Sequence, residues 1–180
     1  TLPPGWMLPS SSGPSHRFHM RSIHPGYHPH PGPASDHTRK KAPIGWYVSS
    51  DDHDTLFSSF LRSPWLDVSG TSQAVLMFWT SSLNSGTTPQ ANSLEITQHT
   101  DSGAITTIAT VALDNSTNAW MQHAIDLSVG AHSRVRYEFR VTAQNGAVVH
   151  DIAIDDIRVT ALTSSSGQAP QPGLSVLDIN

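Results

Sequence analysis

The chain has 180 residues, which is enough to bury the hydrophobic core of one domain. Its formal net charge is −4 and only 13% of its residues are charged, so it lacks the broad basic field that nucleic-acid binding requires. No apolar run approaches the ~20 residues that cross a bilayer, and we therefore expect no membrane insertion. Cysteine is absent, which excludes disulfides, thiolate zinc sites and a cysteine nucleophile.

The N-terminal segment up to about residue 40 is rich in proline, glycine and histidine, and we expect little regular structure there. Each proline fixes its own φ and biases the preceding residue away from helix, so residues 24–33 are predicted to be an extended or turning loop. His28 and His30 have a spacing that offers two imidazoles to zinc or copper. The alternative is an exposed polar loop whose charge varies with pH.

From Gly45 onward the sequence has the pattern of β-strands. Short apolar or aromatic runs are bounded by Ser, Gly, Pro and Asp, and no stretch has helical periodicity with caps at both ends. The clearest alternation covers residues 134–141, where apolar side chains share one face and charged side chains share the other. Asn145-Gly146 is a strong hairpin signal. The predicted strands cover residues 46–48, 56–61, 74–79, 94–97, 105–111, 120–127, 134–141 and 147–159.

Many short strands without intervening helices predict an all-β protein, namely an antiparallel β-sandwich of the jelly-roll type. We predict that residues 1–162 form this sandwich, with the long Pro- and His-rich loop near its N-terminus. Residues 163–173 have the composition of a flexible linker, and residues 174–180 resume a strand-like apolar pattern. The predicted core consists of Leu76, Phe78, Trp120, Val135, Tyr137, Phe139, Val141, Ile152 and Ile154.

A family resemblance rests on motifs that occur in one order along the chain. Residues 151–157, Asp-Ile-Ala-Ile-Asp-Asp-Ile, resemble the closing signature of the MAM domain, an extracellular module of meprin-type proteases, neuropilins and receptor tyrosine phosphatases. The resemblance covers roughly residues 4–160. The other segments that are similar to family motifs are Pro4-Gly5-Trp6, Asp36-His37-Thr38, Gly45-Trp46-Tyr47-Val48, Leu61-Arg62-Ser63-Pro64-Trp65-Leu66, Leu76-Met77-Phe78-Trp79 and Trp120.

The resemblance implies a secreted, extracellular jelly-roll domain that has no catalytic activity and acts in adhesion or assembly with other proteins. The chain contains no nucleophile elbow, phosphate-binding loop or His-Glu-x-x-His motif, so enzymatic activity is not expected. Asn115, in the triplet Asn115-Ser116-Thr117, is a permissible N-glycosylation acceptor, which fits the secretory route. Because the usual cysteines of the family are absent, the stability that they provide must come from packing, assembly or bound ions.

The strand that opens the family's domain has no counterpart before Gly5, and this suggests a mode of assembly. A sheet that lacks one strand leaves backbone donors and acceptors unpaired, and a strand from another chain can satisfy them. We therefore expect residues 174–180 to fill that place in a neighbouring copy, which would join chains head to tail into a filament. Two alternatives remain open, since this segment can also open a next module or fold back onto its own sandwich. The candidate assembly residues are Leu174, Val176, Leu177 and Ile179.

A calcium site is also implied, because some MAM domains bind calcium. Asp155 and Asp156 near the end of a strand, together with Asp36, offer oxygen ligands to a hard cation, and Asp178 on a donated strand would complete the set. The alternative is that one aspartate of the Asp155-Asp156 pair caps backbone amides at a turn while the other is solvated.

The tryptophans allow a second function, a carbohydrate-binding module of a larger secreted protein. Tryptophan rings on an open face of a sandwich can stack on sugar rings. Trp79 and Trp120 lie in or beside apolar runs and are predicted to belong to the core. Trp65 follows Pro64 and is predicted to be exposed, which makes it the candidate sugar contact.

Overall fold

The structure is a computed structural model, which describes residues 4–9, 18–22, 37, 44–49, 57–84, 93–113, 119–130, 132–143, 150–163 and 172–173. These residues are organised in β-strands, and among them there is no helix of the length and hydropathy needed to span a bilayer. The strands are β1 (Phe18–Ser22), β2 (Ile44–Ser49), β3 (Phe57–Arg62), β4 (Leu66–Asp67), β5 (Thr71–Asn84), β6 (Ser93–Thr100), β7 (Ile105–Ala112), β8 (Met121–Leu127), β9 (Arg134–Ala143), β10 (His150–Thr163) and β11 (Pro172–Gly173).

Two antiparallel sheets pack face to face. The first has the order β1-β2-β10-β5-β8, with β11 also paired to β10, and the second has the order β3-β9-β6-β7, with β4 also paired to β9. Neighbours within a sheet are mostly distant in sequence, because the chain crosses repeatedly between the two layers. This arrangement confirms the predicted all-β antiparallel sandwich.

The core lies between the sheets and follows from the period-two alternation of the strands. In β9, Val135, Tyr137, Phe139 and Val141 are buried, while the intervening charged residues face away from the core. Ring packing continues across the layers, since Phe78 on β5 meets the Phe139 ring edge-on at 5.8 Å between centroids. Removing such a buried ring costs about 3–5 kcal/mol. The prediction is confirmed for Leu76, Phe78, Val135, Tyr137, Phe139, Val141, Ile152 and Ile154.

A β-bulge in β10 keeps both halves of that strand turned toward the core. Ile152 and Ile154 are buried on even-numbered positions, whereas Ile157 and Val159 are buried on odd-numbered positions. The register against β5 shifts between Asp155 and Arg158, so one extra residue is accommodated there. Without it, a one-residue slip would turn the second half of the strand to the opposite face.

The end of the predicted linker pairs with the body of the same chain. Pro172 and Gly173 lie antiparallel to Leu162 and Ala161 of β10. On this edge of β10, β2 pairs with residues 151–154, and none of the described strands adjoins the edge between Ile154 and Ala161. Residues 174–180 lie outside the described part of the chain.

Candidate functional site

His37 is the centre of a polar and aromatic cluster on the outer face of the first sheet. Its backbone N–H donates to Oδ2 of Asp155 at 3.1 Å, and its Nδ1 lies 2.6 Å from Oδ2 of Asp156. The imidazole stacks on Trp79 with 3.8 Å between ring centroids, and Trp120 approaches it edge-on at 5.9 Å. We call these five residues the His37 cluster.

The bulge in β10 positions the two aspartates of this cluster. Asp156 has a φ of +49°, a left-handed conformation that aspartate tolerates better than most residues with a Cβ. Asp155 is only 4% exposed, and its Oδ1 accepts the Asp156 backbone N–H at 2.8 Å. Its other oxygen accepts the His37 N–H, so the Asp155 carboxylate joins the bulge to the segment around His37.

The prediction that Trp79 and Trp120 belong to the core is wrong. Both are half-buried, whereas Phe78, next to Trp79, is fully buried. Successive strand residues point to opposite faces, so Trp79 lies on the side of the sheet that faces away from the core, where His37 covers it. The apolar composition of residues 74–79 indicated burial without indicating which face buries each ring.

The His37 cluster does not, by its described residues, make a calcium site. Each oxygen of Asp155 is directed at a backbone N–H, and an Asp156 oxygen is directed at the imidazole of His37. In the described part of the chain, no three His, Asp or Glu side chains converge in a way that would hold a metal ion. Asp36 and Asp178 lie outside the described residues, so a site that includes them stays a proposal.

A second arrangement, on the outer face of the second sheet, has the character of a binding surface. Trp65 follows β3 and is 40% exposed, as predicted. The guanidinium carbon of Arg136 lies 4.6 Å from the centroid of a Trp65 ring, and that of Arg134 lies 6.0 Å away. Both arginines stand on the solvated face of β9, which the alternation of that strand dictates. We call Trp65, Arg134 and Arg136 the Arg–Trp surface.

Two neighbouring arginines on this sheet are paired with glutamates. Arg62 donates through Nε and Nη2 to Oε2 of Glu138, and Arg140 donates to Oε1 of Glu95 at 3.4 Å. Within the described residues, neither arginine of the Arg–Trp surface forms an ion pair with a carboxylate. The surface therefore presents two guanidiniums outside ion pairs, with Asp67 opposite Arg134 across β4 and β9, on a chain whose net charge is −4.

Burial and charge both act on this surface. Partial desolvation, and then the like charge of Arg62, lower the pKa of Arg136, while the charge of Glu138 opposes this change; a guanidinium stays charged at neutral pH. The Nε of Arg136 is buried and has no hydrogen-bond partner among the described residues. Asp67 is the nearby acid: hydrogen bonds from Ser69 lower its pKa, and the charge of Arg134 adds to the effect.

Sequence reasoning identified Trp65 but not the two arginines beside it. The two arginines could have been found from the alternation of residues 134–141, which places Arg134 and Arg136 on one solvated face. Their contact with Trp65 depends on the pairing of β4 with β9, where Leu66 is opposite Val135. The remaining candidates, Asn115, Leu174, Val176, Leu177 and Ile179, lie outside the described residues and stay predictions.

Solved structures with a similar fold include an adhesin domain and carbohydrate-binding modules. The K3 cleaved adhesin domain of Lys-gingipain from Porphyromonas gingivalis W83 has a TM-score of 0.60 at 16% identity, covering 88% of this chain and 92% of that chain. TmCBM61 in complex with β-1,4-galactotriose has a TM-score of 0.53 at 13% identity, covering 87% and 88%. A structure of carbohydrate-binding modules from the β-sandwich superfamily, described as promiscuous in specificity, has a TM-score of 0.55 at 12% identity, covering 86% and 56%.

At these identities the likeness establishes the class of fold, a jelly-roll β-sandwich module. The family is established by sequence, because the family model described as "MAM domain, meprin/A5/mu" matches residues 5–164. The chain therefore belongs to the MAM domain family, and it does so without the usual cysteines. Curated proteins provide no match. Four of the motifs that suggested the family, those containing His37, Trp79, Trp120 and Asp155-Asp156, meet in the His37 cluster.

Proposed function

We propose that this chain is a secreted, non-catalytic recognition module that binds a glycan through the Arg–Trp surface. The observation that carries the proposal is the exposed ring of Trp65 beside two arginines that form no ion pair with a carboxylate among the described residues. An aromatic ring offers its face to the apolar face of a sugar, and guanidinium N–H groups donate to sugar oxygens.

Two further points support this proposal. MAM domains are extracellular modules, which is where polysaccharides and glycosylated partners are met. Several structures of similar fold are carbohydrate-binding modules, one with β-1,4-galactotriose bound, which makes glycan recognition compatible with this architecture. The His37 cluster is less suited to recognition, because its aspartates and rings are engaged with one another.

A glycan array followed by titration calorimetry tests this function. Binding that saturates for wild-type protein and is lost with Trp65→Ala is the expected result, because the exposed ring supplies the stacking face. Met121→Ala is the matched control, since Met121 is exposed to a similar extent on the other sheet, and it should bind as wild type does. Absence of any glycan response, or equal binding by Trp65→Ala, would contradict the proposal.

Head-to-tail assembly by exchange of residues 174–180 is a second proposal, favoured by the sequence pattern of that segment. Pro172 and Gly173, which come directly before residues 174–180, pair with β10 at a sheet edge. A sheet edge is where a donated or self-inserted strand would pair. Exchange predicts that the 180-residue chain sediments as concentration-dependent oligomers and that protein truncated after Gly173 is monomeric. A monomeric 180-residue chain, or unchanged oligomers after truncation, would reject exchange.

A further inference from the structure

Among the described residues, the arginines of the Arg–Trp surface differ from Arg62 and Arg140 on the same sheet in forming no ion pair with a carboxylate, although Asp67 lies opposite Arg134. Arg62 and Arg140 each donate to a glutamate, so they contribute little net charge to the face. Arg134 and Arg136 stand two positions apart on β9 and lie near one tryptophan ring. The surface thus combines one exposed aromatic ring with two guanidiniums that are outside ion pairs among the described residues.

The guanidinium of Arg136 lies over the Trp65 ring, with its carbon 4.6 Å from the ring centroid. A guanidinium is planar, and its N–H groups form a fork that matches a planar carboxylate or the oxygens of a sulfate. Burial has already removed part of the hydration of Arg136. An anionic group at this guanidinium therefore displaces less water than it would at a fully solvated arginine.

We propose that the Arg–Trp surface selects negatively charged sugars, with Trp65 against the sugar ring and Arg134 and Arg136 against its carboxylate or sulfate. This inference rests on the proposed glycan function and specifies its ligand class. Asp67 works against the anion, because it lies close enough to Arg134 for the two charges to interact. Asp67→Asn should therefore tighten the binding of an acidic sugar.

The test compares two oligosaccharides that differ only in charge. A short oligogalacturonate and its fully methyl-esterified form have the same rings, but only the acid carries carboxylates. We expect the acid to bind at least about tenfold more tightly than the ester, with an advantage that shrinks as salt is added. A sulfated oligosaccharide forms a third arm, which distinguishes sulfate from carboxylate as the preferred group.

Variants assign the selectivity to residues. Arg136→Gln and Arg134→Gln should each reduce the affinity for the acid by about tenfold and the affinity for the ester by a smaller factor, because the ester loses only hydrogen bonds to neutral oxygens. Arg140→Gln is the matched control, because Arg140 lies on the same strand face but is paired with Glu95, and it should retain the preference for the acid. Arg134 is exposed, so its variant tests the site even where Arg136→Gln fails to fold.

The outcomes separate this inference from the function on which it rests. Equal affinity for acid and ester, lost in both cases with Trp65→Ala, would overturn the anionic preference and leave glycan recognition intact. Polyglutamate that competes as well as the oligogalacturonate would overturn the sugar component, because the surface would then read charge alone. Binding of neither oligosaccharide, together with a silent glycan array, would overturn both.

Discussion

Asp155→Ala should destabilise the protein because this one carboxylate joins the bulge of β10 to the segment around His37. The substitution removes the acceptor for two backbone N–H groups, those of His37 and Asp156, at 3.1 and 2.8 Å. Hydrogen bonds to charged groups are worth about 1.5–3 kcal/mol each, and release of the buried carboxylate from desolvation offsets part of that loss. We expect the free energy of unfolding to fall by about 2–4 kcal/mol.

Urea denaturation followed by tryptophan fluorescence measures this change. For a chain of this length a loss of that size lowers Tm by on the order of 10 °C. Asp126→Ala is the control, because Asp126 is exposed on β8, and it should change the free energy of unfolding by no more than about 0.5 kcal/mol. If Asp155→Ala were as stable as that control, the two hydrogen bonds would not join these segments as described.

The remaining predictions concern pH, glycine and calcium. Burial lowers the pKa of His123 from its usual 6.5, so the folded state favours the neutral imidazole. The free energy of unfolding should therefore be highest above pH 6.5 and should decrease as the pH falls below that value. His123→Phe should flatten the pH dependence of Tm. Gly5→Ala should lower Tm more than Gly103→Ala does, because both have positive φ but only at Gly5 does a Cβ meet Pro64, at 2.8 Å. The calcium proposal predicts that CaCl₂ raises the Tm of wild-type protein but not of Asp156→Asn, and an unchanged wild-type Tm would exclude it.

The sequence was sufficient to predict the sandwich and most of its core. Every strand with one solvated face has a period of two, and residues 134–141 show it without interruption. The same rule accounts for Leu76 and Phe78, which are buried in β5. These predictions succeed because burial of alternate side chains is a local property of a strand, whatever its neighbours in the sheet.

Composition alone predicted neither the bulge in β10 nor the face of the sheet on which Trp79 lies. Ile152 and Ile154 differ in parity from Ile157 and Val159, and this change in the alternation was the available sign of an extra residue in β10. Trp79 and Phe78 are adjacent in a strand and therefore lie on opposite faces of the sheet. All residues from 74 to 79 are apolar, so the sequence showed no alternation that would have indicated this.

The candidate site was only partly predictable, because it is assembled from segments distant in the sequence. The exposure of Trp65 followed from its place after Pro64, between short apolar runs. Its contact with Arg136 spans 71 positions and arises from the antiparallel pairing of β4 with β9, which no local pattern specifies. The approach of His37 to Asp155 is of the same kind, since it joins residues 118 positions apart.

NMR with ¹⁵N-labelled protein tests most directly whether an acidic oligosaccharide binds at the Arg–Trp surface. On titration with the oligogalacturonate, we predict that the indole N–H of Trp65, assigned with Trp65→Phe, and the backbone amides of Arg134 and Arg136 shift together and saturate at one dissociation constant. Shifts confined to the first sheet, around Gln122 and Ala124 of β8, would contradict the account, as would a spectrum that does not change.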